Sequence, residues 1–269
     1  MGKLRYSIFD PTGNITALVE SETPACEQPA VGALLMRRHP EVEQVGFVRF
    51  SEDGPVLRMA GGEFCGNASM SAAALFRLRT GRGTPAVFLR VSGAAGPVEV
   101  RLRREEDGGF SAGVRMPAAL SVRELPYAFG TLRGTLPTVR MQGISHLVIT
   151  SESPFFSLLG NRGEAERAVR AFCETLLAQG LGLMFLDGDA LTPLVYIPGS
   201  GTVFWEKACA SGSAAAGMAL AAKSGAPVSL ALREPGGCLR VESDPIGGQT
   251  LLWGRTRLTG EYQIEKPEL

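Results

Sequence analysis

A chain of 269 residues with 27 Lys and Arg against 27 Asp and Glu carries no net charge, and 45% of it is hydrophobic. That is enough for one large or two modest domains with real cores, and it argues against disorder and against nucleic acid as a main partner. No run approaches the roughly 18 apolar residues of a membrane span, and the N-terminal MGKLRYSIFDPTGN lacks the apolar stretch of a secretion signal. A cytoplasmic protein with no membrane partner is expected.

The 34 Gly and 17 Pro favour many short strands over a helix bundle. In chain order, PAVGALLMRR (Pro29–Arg38) reads as an amphipathic helix with Pro in its first turn. Two strands, QVGFVRF (44–50) and PVLRMA (55–60), lead to CGNASMSAAAL (65–75). There a Cys precedes small polar residues and an Ala-rich run of high helix propensity. VFLRVSGAAGPVEV (87–100) is a strand, a Gly/Pro turn and a second strand. RLRREED (101–107) is a solvated hairpin end, and FSAGVRM (110–116) is a further strand. A turn-rich stretch follows over Met116–Pro126.

The second half repeats the first. Glu164–Gln179 is a helix in which Ala168, Phe172, Leu176 and the neighbouring Ala171 and Leu177 form one stripe. LGLMFLD (181–187), PLVYI (193–197) and TVFWE (202–206) lead to CASGSAAAGMA (209–219), and VSLALREPGGCLRV (228–241) and TLLWGRTRL (250–258) follow. Each half therefore reads strands, helix, strands, Cys-headed helix, strands. The fold class is α+β: two pseudo-symmetric domains, each a strand-rich sheet or barrel wrapped around a central Ala-rich helix. Those helices are apolar nearly all round (Ala72, Ala73, Ala74, Leu75; Ala214, Ala215, Ala216, Met218) and so belong inside. Asn67 and Ser211 are the expected N-caps.

Five Cys is an odd number, and no CxxC occurs, which suits neither a disulfide framework nor a zinc site. Cys173 falls mid-helix on the apolar side, Cys26 in a loop and Cys238 in a strand, all read as structural. Cys65 and Cys209 differ, because each stands at a helix mouth. Free N–H groups and a partial positive charge there favour thiolate over thiol and can seat a carboxylate. Two such ends aimed at one cleft could remove a proton from a carbon on one face and return one to the other. That chemistry needs no metal or organic cofactor, and the two sulfurs would titrate as a coupled pair. The competing reading is duplication without chemistry, on a scaffold that only binds a small molecule.

EFCGNAS (63–69) and EKACASGS (206–213), in order and half a chain apart, resemble the two Cys motifs of the diaminopimelate epimerase-like racemases and epimerases. PTGN (11–14), Gln44, GISHLVI (143–149) and LTG (258–260) add to the resemblance. It implies Cys65 and Cys209 as the acid/base pair. It also implies a substrate carboxylate on the N–H groups of Asn67, Ser211 and Gly212, with Gly66 and Ala210 at the same helix starts, and a pocket lined by Asn14 and Gln44. On this reading the domains span 1–120 and 121–257, with about 258–269 returning to the first. The Glu-Arg ahead of the second Cys in true diaminopimelate epimerases is absent, and Ile144 and Pro193 stand where Asn is expected. Phe64, Ile144, Phe204 or Trp205 would line a less charged pocket. The FWE-x-x-C-x-SG form resembles histidine racemases of opine-metallophore pathways, which points to interconversion of L- and D-histidine. Diaminopimelate epimerase is the alternative. Glu206 is favoured as a contact for the substrate ammonium or an imidazole, and His146 is either a pocket residue or a structural one. The expected partner is a small amino acid, and a homodimer is compatible with the chain.

Overall fold

The computed structural model describes residues 3–51, 54–199 and 201–266. The chain divides into two compact units, one of residues up to 115 together with those from 253 on, the other of 116–252. These divisions lie a few residues from the 120/121 and 257/258 drawn from the sequence.

The first unit comprises β1 (Lys3–Pro11), β2 (Thr16–Val19), α1 (Gln28–Arg38), β3 (Gln44–Ser51), β4 (Gly54–Met59), α2 (Gly66–Thr80), β5 (Ala86–Val91), β6 (Val98–Arg104) and β7 (Phe110–Met116). The greater part of a long last strand (Gln249–Glu265) completes it. Its strands follow one another in chain order, and the last strand lies between β7 and β1, closing the ring. Two pairings are parallel, β2 with β3 and β4 with β5. Parallel neighbours need a crossover, and α1 and α2 supply them. Because α2 has no polar face, it packs against β1 to β6 and is buried from Gly66 to Phe76. It stops at Gly81, whose φ of 65° is the left-handed cap that glycine adopts without strain.

The second unit holds β8 (Ser121–Phe129), β9 (Leu132–Arg140), β10 (Ser145–Thr150), a 3-10 helix (Pro154–Gly160), α3 (Arg162–Leu176), β11 (Leu181–Asp187), β12 (Ala190–Ile197), β13 (Thr202–Trp205), α4 (Ala210–Ser224), β14 (Val228–Glu234) and β15 (Gly237–Asp244). The order is β15-β14-β12-β11-β10-β9-β8, with β13 on β12. Again the parallel pairs, β10 with β11 and β12 with β14, are joined across helices, α3 and α4. The α3 stripe of Ala165, Ala168, Val169, Phe172 and Cys173 packs on Leu147, Phe155, Leu183 and Phe185. Nearly apolar all round, α4 packs against β8 to β11, β14 and β15.

Two expectations change. The stretch read as turns from 116 to 126 runs into a long hairpin of β8 and β9. Pro126 sits within it opposite Thr135, which is tolerated because β8 ends the strand order and Pro there forfeits no ladder bond on its open side. And α3 ends at Leu176, not Gln179, because Leu177 takes the left-handed conformation with φ 50°.

Candidate active site

In the first unit the N-cap of α2 is Cys65 itself, not Asn67. With φ −133° and ψ 115°, it turns its sulfur back to accept the N–H of Ala68 at 3.3 Å. A sulfur at this position does what a Ser hydroxyl does at an ordinary cap, and Gly66 and Asn67 become buried residues of the first turn. Gln44, at the start of β3, brings its Oε1 to 2.6 Å from Cys65 Sγ. An amide suits both states of the sulfur: its oxygen accepts from a thiol, and turned over, its nitrogen donates to a thiolate. Asn14 is buried at the end of the PTGN turn, where Thr12 and Gly13 have φ of 57° and 88° and Gly13 N–H donates to Asp10 Oδ1 at 2.6 Å. The Asn14 Nδ2 donates to Glu43 Oε2 at 2.9 Å, beside Gln44, and its buried Oδ1 has no partner among the described residues.

The second unit builds the same cap from Cys209, not Ser211. Its sulfur accepts the N–H of Gly212 at 3.3 Å, with Ser211 Oγ at 3.6 Å. Glu206, three residues earlier, hydrogen-bonds the thiol. A second carboxyl was not foreseen. Glu234, at the end of β14, accepts the Cys209 N–H through Oε2 at 2.7 Å and bonds the Ser213 hydroxyl through Oε1. Only 7% exposed, Glu234 is pushed up to about 8 by burial, with the charge of Glu206 adding to the effect. A signal for it did exist. Along VSLALRE alternate residues turn inward, and Glu234 falls on the inward set with Leu232. An acidic residue at a core position asks for a reason.

The helix end does not leave Cys209 as a ready thiolate. Burial raises its thiol well above the ordinary range, and the nearby Glu206 and Glu234 raise it further. The partial charge of a helix N-terminus, worth about 0.3–1 kcal/mol at an exposed site, is outweighed by loss of water and by two carboxyls.

His146, on β10 opposite Gly182 of β11, is fully buried, and neither ring nitrogen has a partner among the described residues. Burial lowers it to about 3, so the ring is neutral. It lies so close to Gly182 that a Cβ there would collide with Nδ1 and with Met184 Cε. Met184 in turn lies against Gly212, where a Cβ would meet Met184 Sδ and stand 3.1 Å from Cys209 Sγ. Two glycines thus let His146, Met184 and Cys209 form one continuous set. Of the aromatics expected to line a pocket, Trp205 is half-buried against the core of its unit, stacked on Phe185 with its indole N–H on Glu166 Oε1 at 3.0 Å. Phe204 is exposed.

No helix among the described residues is long and apolar enough to cross a membrane. Residues 3–253 match the family described as the histidine racemase CntK N-terminal domain. A histidine racemase of Fusobacterium nucleatum subsp. nucleatum is 30% identical over 231 residues, which span 81% of this chain and 80% of that one. One of Staphylococcus aureus is 29% identical over 279 residues, 97% of this chain and 98% of the other. Among solved structures, a predicted epimerase from Pseudomonas aeruginosa superposes with a TM-score of 0.72 at 15% identity, covering 98% of this chain and all of that one. A hydroxyproline epimerase from Agrobacterium vitis gives 0.66 at 15%, over 97% and 92%. A phenazine biosynthesis PhzF-family protein from Enterococcus faecalis gives 0.66 at 14%, over 98% and 100%. At such identities these structures share the fold, a strand-rich mixed α/β architecture with few helices. The match over nearly the whole length, with curated relatives at about 30% identity, shows that the chain belongs to the histidine racemase CntK family.

Proposed function

We propose that this protein is a cofactor-independent racemase that inverts the α-carbon of histidine, with Cys65 and Cys209 as its two acid/base groups. The observation that carries the reading is the thiol at the N-cap of the buried Ala-rich helix in each unit, its sulfur drawn onto the N–H three residues on. The matching element order of the two units favours an origin by duplication of one strand-and-helix plan. The thiols require a reduced state, which favours the cytoplasm.

The Ala68 and Gly212 N–H groups are committed to the sulfurs. We therefore seat the substrate α-carboxylate on the N–H groups that precede them, those of Gly66 and Asn67 and of Ala210 and Ser211. Cys65 then begins as the base in one direction, with Gln44 following its change of charge. Cys209, whose thiol is held protonated, returns a proton to the opposite face of the carbon. In the reverse direction Cys209 is the base, and Glu206 is placed to take its proton beforehand. Asn14 and His146 are assigned to the substrate pocket. Both bear buried polar atoms without partners among the described residues, as expected of groups that wait for a ligand.

The test is incubation with L-histidine, D-histidine and diaminopimelate in deuterated water, with reductant and no added cofactor. Alpha-proton exchange is followed by NMR and inversion by chiral chromatography. Exchange with inversion of histidine is expected. Inversion of diaminopimelate alone would overturn the substrate, and exchange of none would overturn the activity.

A further inference from the structure

Glu234 is a buried carboxyl that acid/base chemistry at two thiols does not itself require. Its Oε2 holds the Cys209 N–H at 2.7 Å, its Oε1 holds the Ser213 hydroxyl, and Ser213 N–H closes back on Cys209 C=O at 2.8 Å. One carboxyl thus grips both ends of the turn that carries the thiol. The grip comes from another element, the end of β14, which continues through Pro235 into the turn before β15. That turn is itself tied to the approach to α4, with Gly236 N–H on Lys207 C=O at 2.7 Å.

We propose that Glu234 is the positioning residue of Cys209: its carboxyl fixes the thiol at the helix mouth, and its own proton decides how readily that thiol ionises. The proposal rests on the reading of Cys209 as an acid/base thiol. With its proton on, Glu234 keeps both hydrogen bonds and adds no charge. With its proton lost to solvent, it keeps them as an acceptor and places a full negative charge beside the sulfur. Glu206, from the segment before α4, faces both groups. His146, from β10, is neutral. Arg233, the neighbour of Glu234 on β14, turns outward to a two-pronged pair with Asp189. A purely structural carboxyl at a helix start would hold the turn equally well at every pH, whereas here burial keeps the proton on to about 8.

The experiment reads Cys209 directly. Full-length wild type and Glu234→Gln are treated with iodoacetamide from pH 6 to 10, and alkylation of the Cys209 peptide is followed by mass spectrometry. Gln keeps an acceptor for the Cys209 N–H and a partner for Ser213 but never acquires charge. The rates are expected to agree within about threefold at pH 6 to 7. At pH 9 to 10 the variant should react at least about tenfold faster, since a nearby unit charge changes thiol ionisation by that order or more. A constant ratio across the range, equal to one or not, overturns the proposal, because mere loosening of the turn speeds alkylation at every pH. In turnover, Glu234→Ala strands the Cys209 N–H and is expected to lower kcat more than tenfold with KM changed less than threefold. Glu234→Gln is expected to restore kcat at pH 7, and wild-type kcat in Glu234→Ala would also overturn the proposal. Because alkylation needs no substrate, failure of the racemase reading and failure of this one are distinguishable.

Discussion

Replacing Cys209 by Ser and by Ala separates its two jobs, capping α4 and moving a proton. The cap is one hydrogen bond, Gly212 N–H to Sγ at 3.3 Å, in a site where Cys209 is only 5% exposed. Ser places an oxygen where it accepts the same N–H, so stability should be unchanged within a few tenths of a kcal/mol. Ala removes the acceptor and should cost about 1 kcal/mol, the usual worth of an N-cap side chain. For a cooperative unit of this size that is roughly a 3 °C fall in Tm, read by calorimetry. Activity should follow the opposite logic. A hydroxyl is far too weak an acid to exchange its proton as a thiol does, so both variants should lose at least about 10³-fold in kcat for inversion, within the range of a lost acid/base group. Deuterated water adds a finer readout. With Cys65 intact, Cys209→Ser should still wash the α-proton out of one enantiomer with retention, and Cys65→Ser out of the other. Inversion by Cys209→Ser at more than a few per cent of wild type would refute the two-thiol reasoning. Equal loss of stability in the Ser and Ala variants would instead refute the capping role, since it would mean that the sulfur is not the cap.

Gln44→Leu removes the amide at 2.6 Å from Cys65 Sγ and should lower kcat about tenfold or more, since hydrogen bonds to a charged group are worth about 1.5–3 kcal/mol; an unchanged kcat would show that the contact is idle. Gly182→Ala puts a methyl into the His146 ring and Met184, an overpacking expected to cost about 1–3 kcal/mol in urea titrations. The second unit should also be most stable near pH 4.5–6.5. His146, near 3 when folded against 6.5 when unfolded, loses stability as pH falls, and Glu234, near 8 against 4.5, loses it as pH rises. Each difference of 3.5 corresponds to roughly 5 kcal/mol in full, and the two slopes oppose each other between 4.5 and 6.5. Glu234→Gln should flatten the alkaline limb alone, and an unaltered alkaline limb would contradict its buried, protonated state.

Much of the plan was legible because periodicity and composition are local. The Ala-rich helices had to be buried, and Ala168 and Phe172 of the α3 stripe do lie on its inner face, whereas Leu177 is exposed because the helix has already ended before it. The β8–β9 hairpin was hidden because Pro126 reads as a breaker, and only the strand order reveals that it sits on an outer strand where Pro is harmless. The caps were misplaced by two residues because Asn and Ser are the habitual capping side chains, and a thiol is rarely weighed as one. Glu234 lies 25 residues from Cys209, in a strand whose pairing alone brings it to the head of α4. Nothing local to CASGSAAAGMA could announce it.

A helix N-terminus alone does not make Cys209 a reactive thiol. The helix gives Cys209 a place and a capping bond, but its field is weak beside what burial removes. Taking a thiolate out of water is costly, and two carboxyls near the sulfur make it more so. Such an arrangement would be a poor design for a nucleophile, which must be anionic at rest. It suits a group whose first task is to hold a proton and release it to a carbanion, and whose second is to recover it. Glu206 and Glu234 divide the consequences: one lies on the thiol and can take its proton, the other lies on the backbone of the same residue and holds the turn in which that exchange takes place.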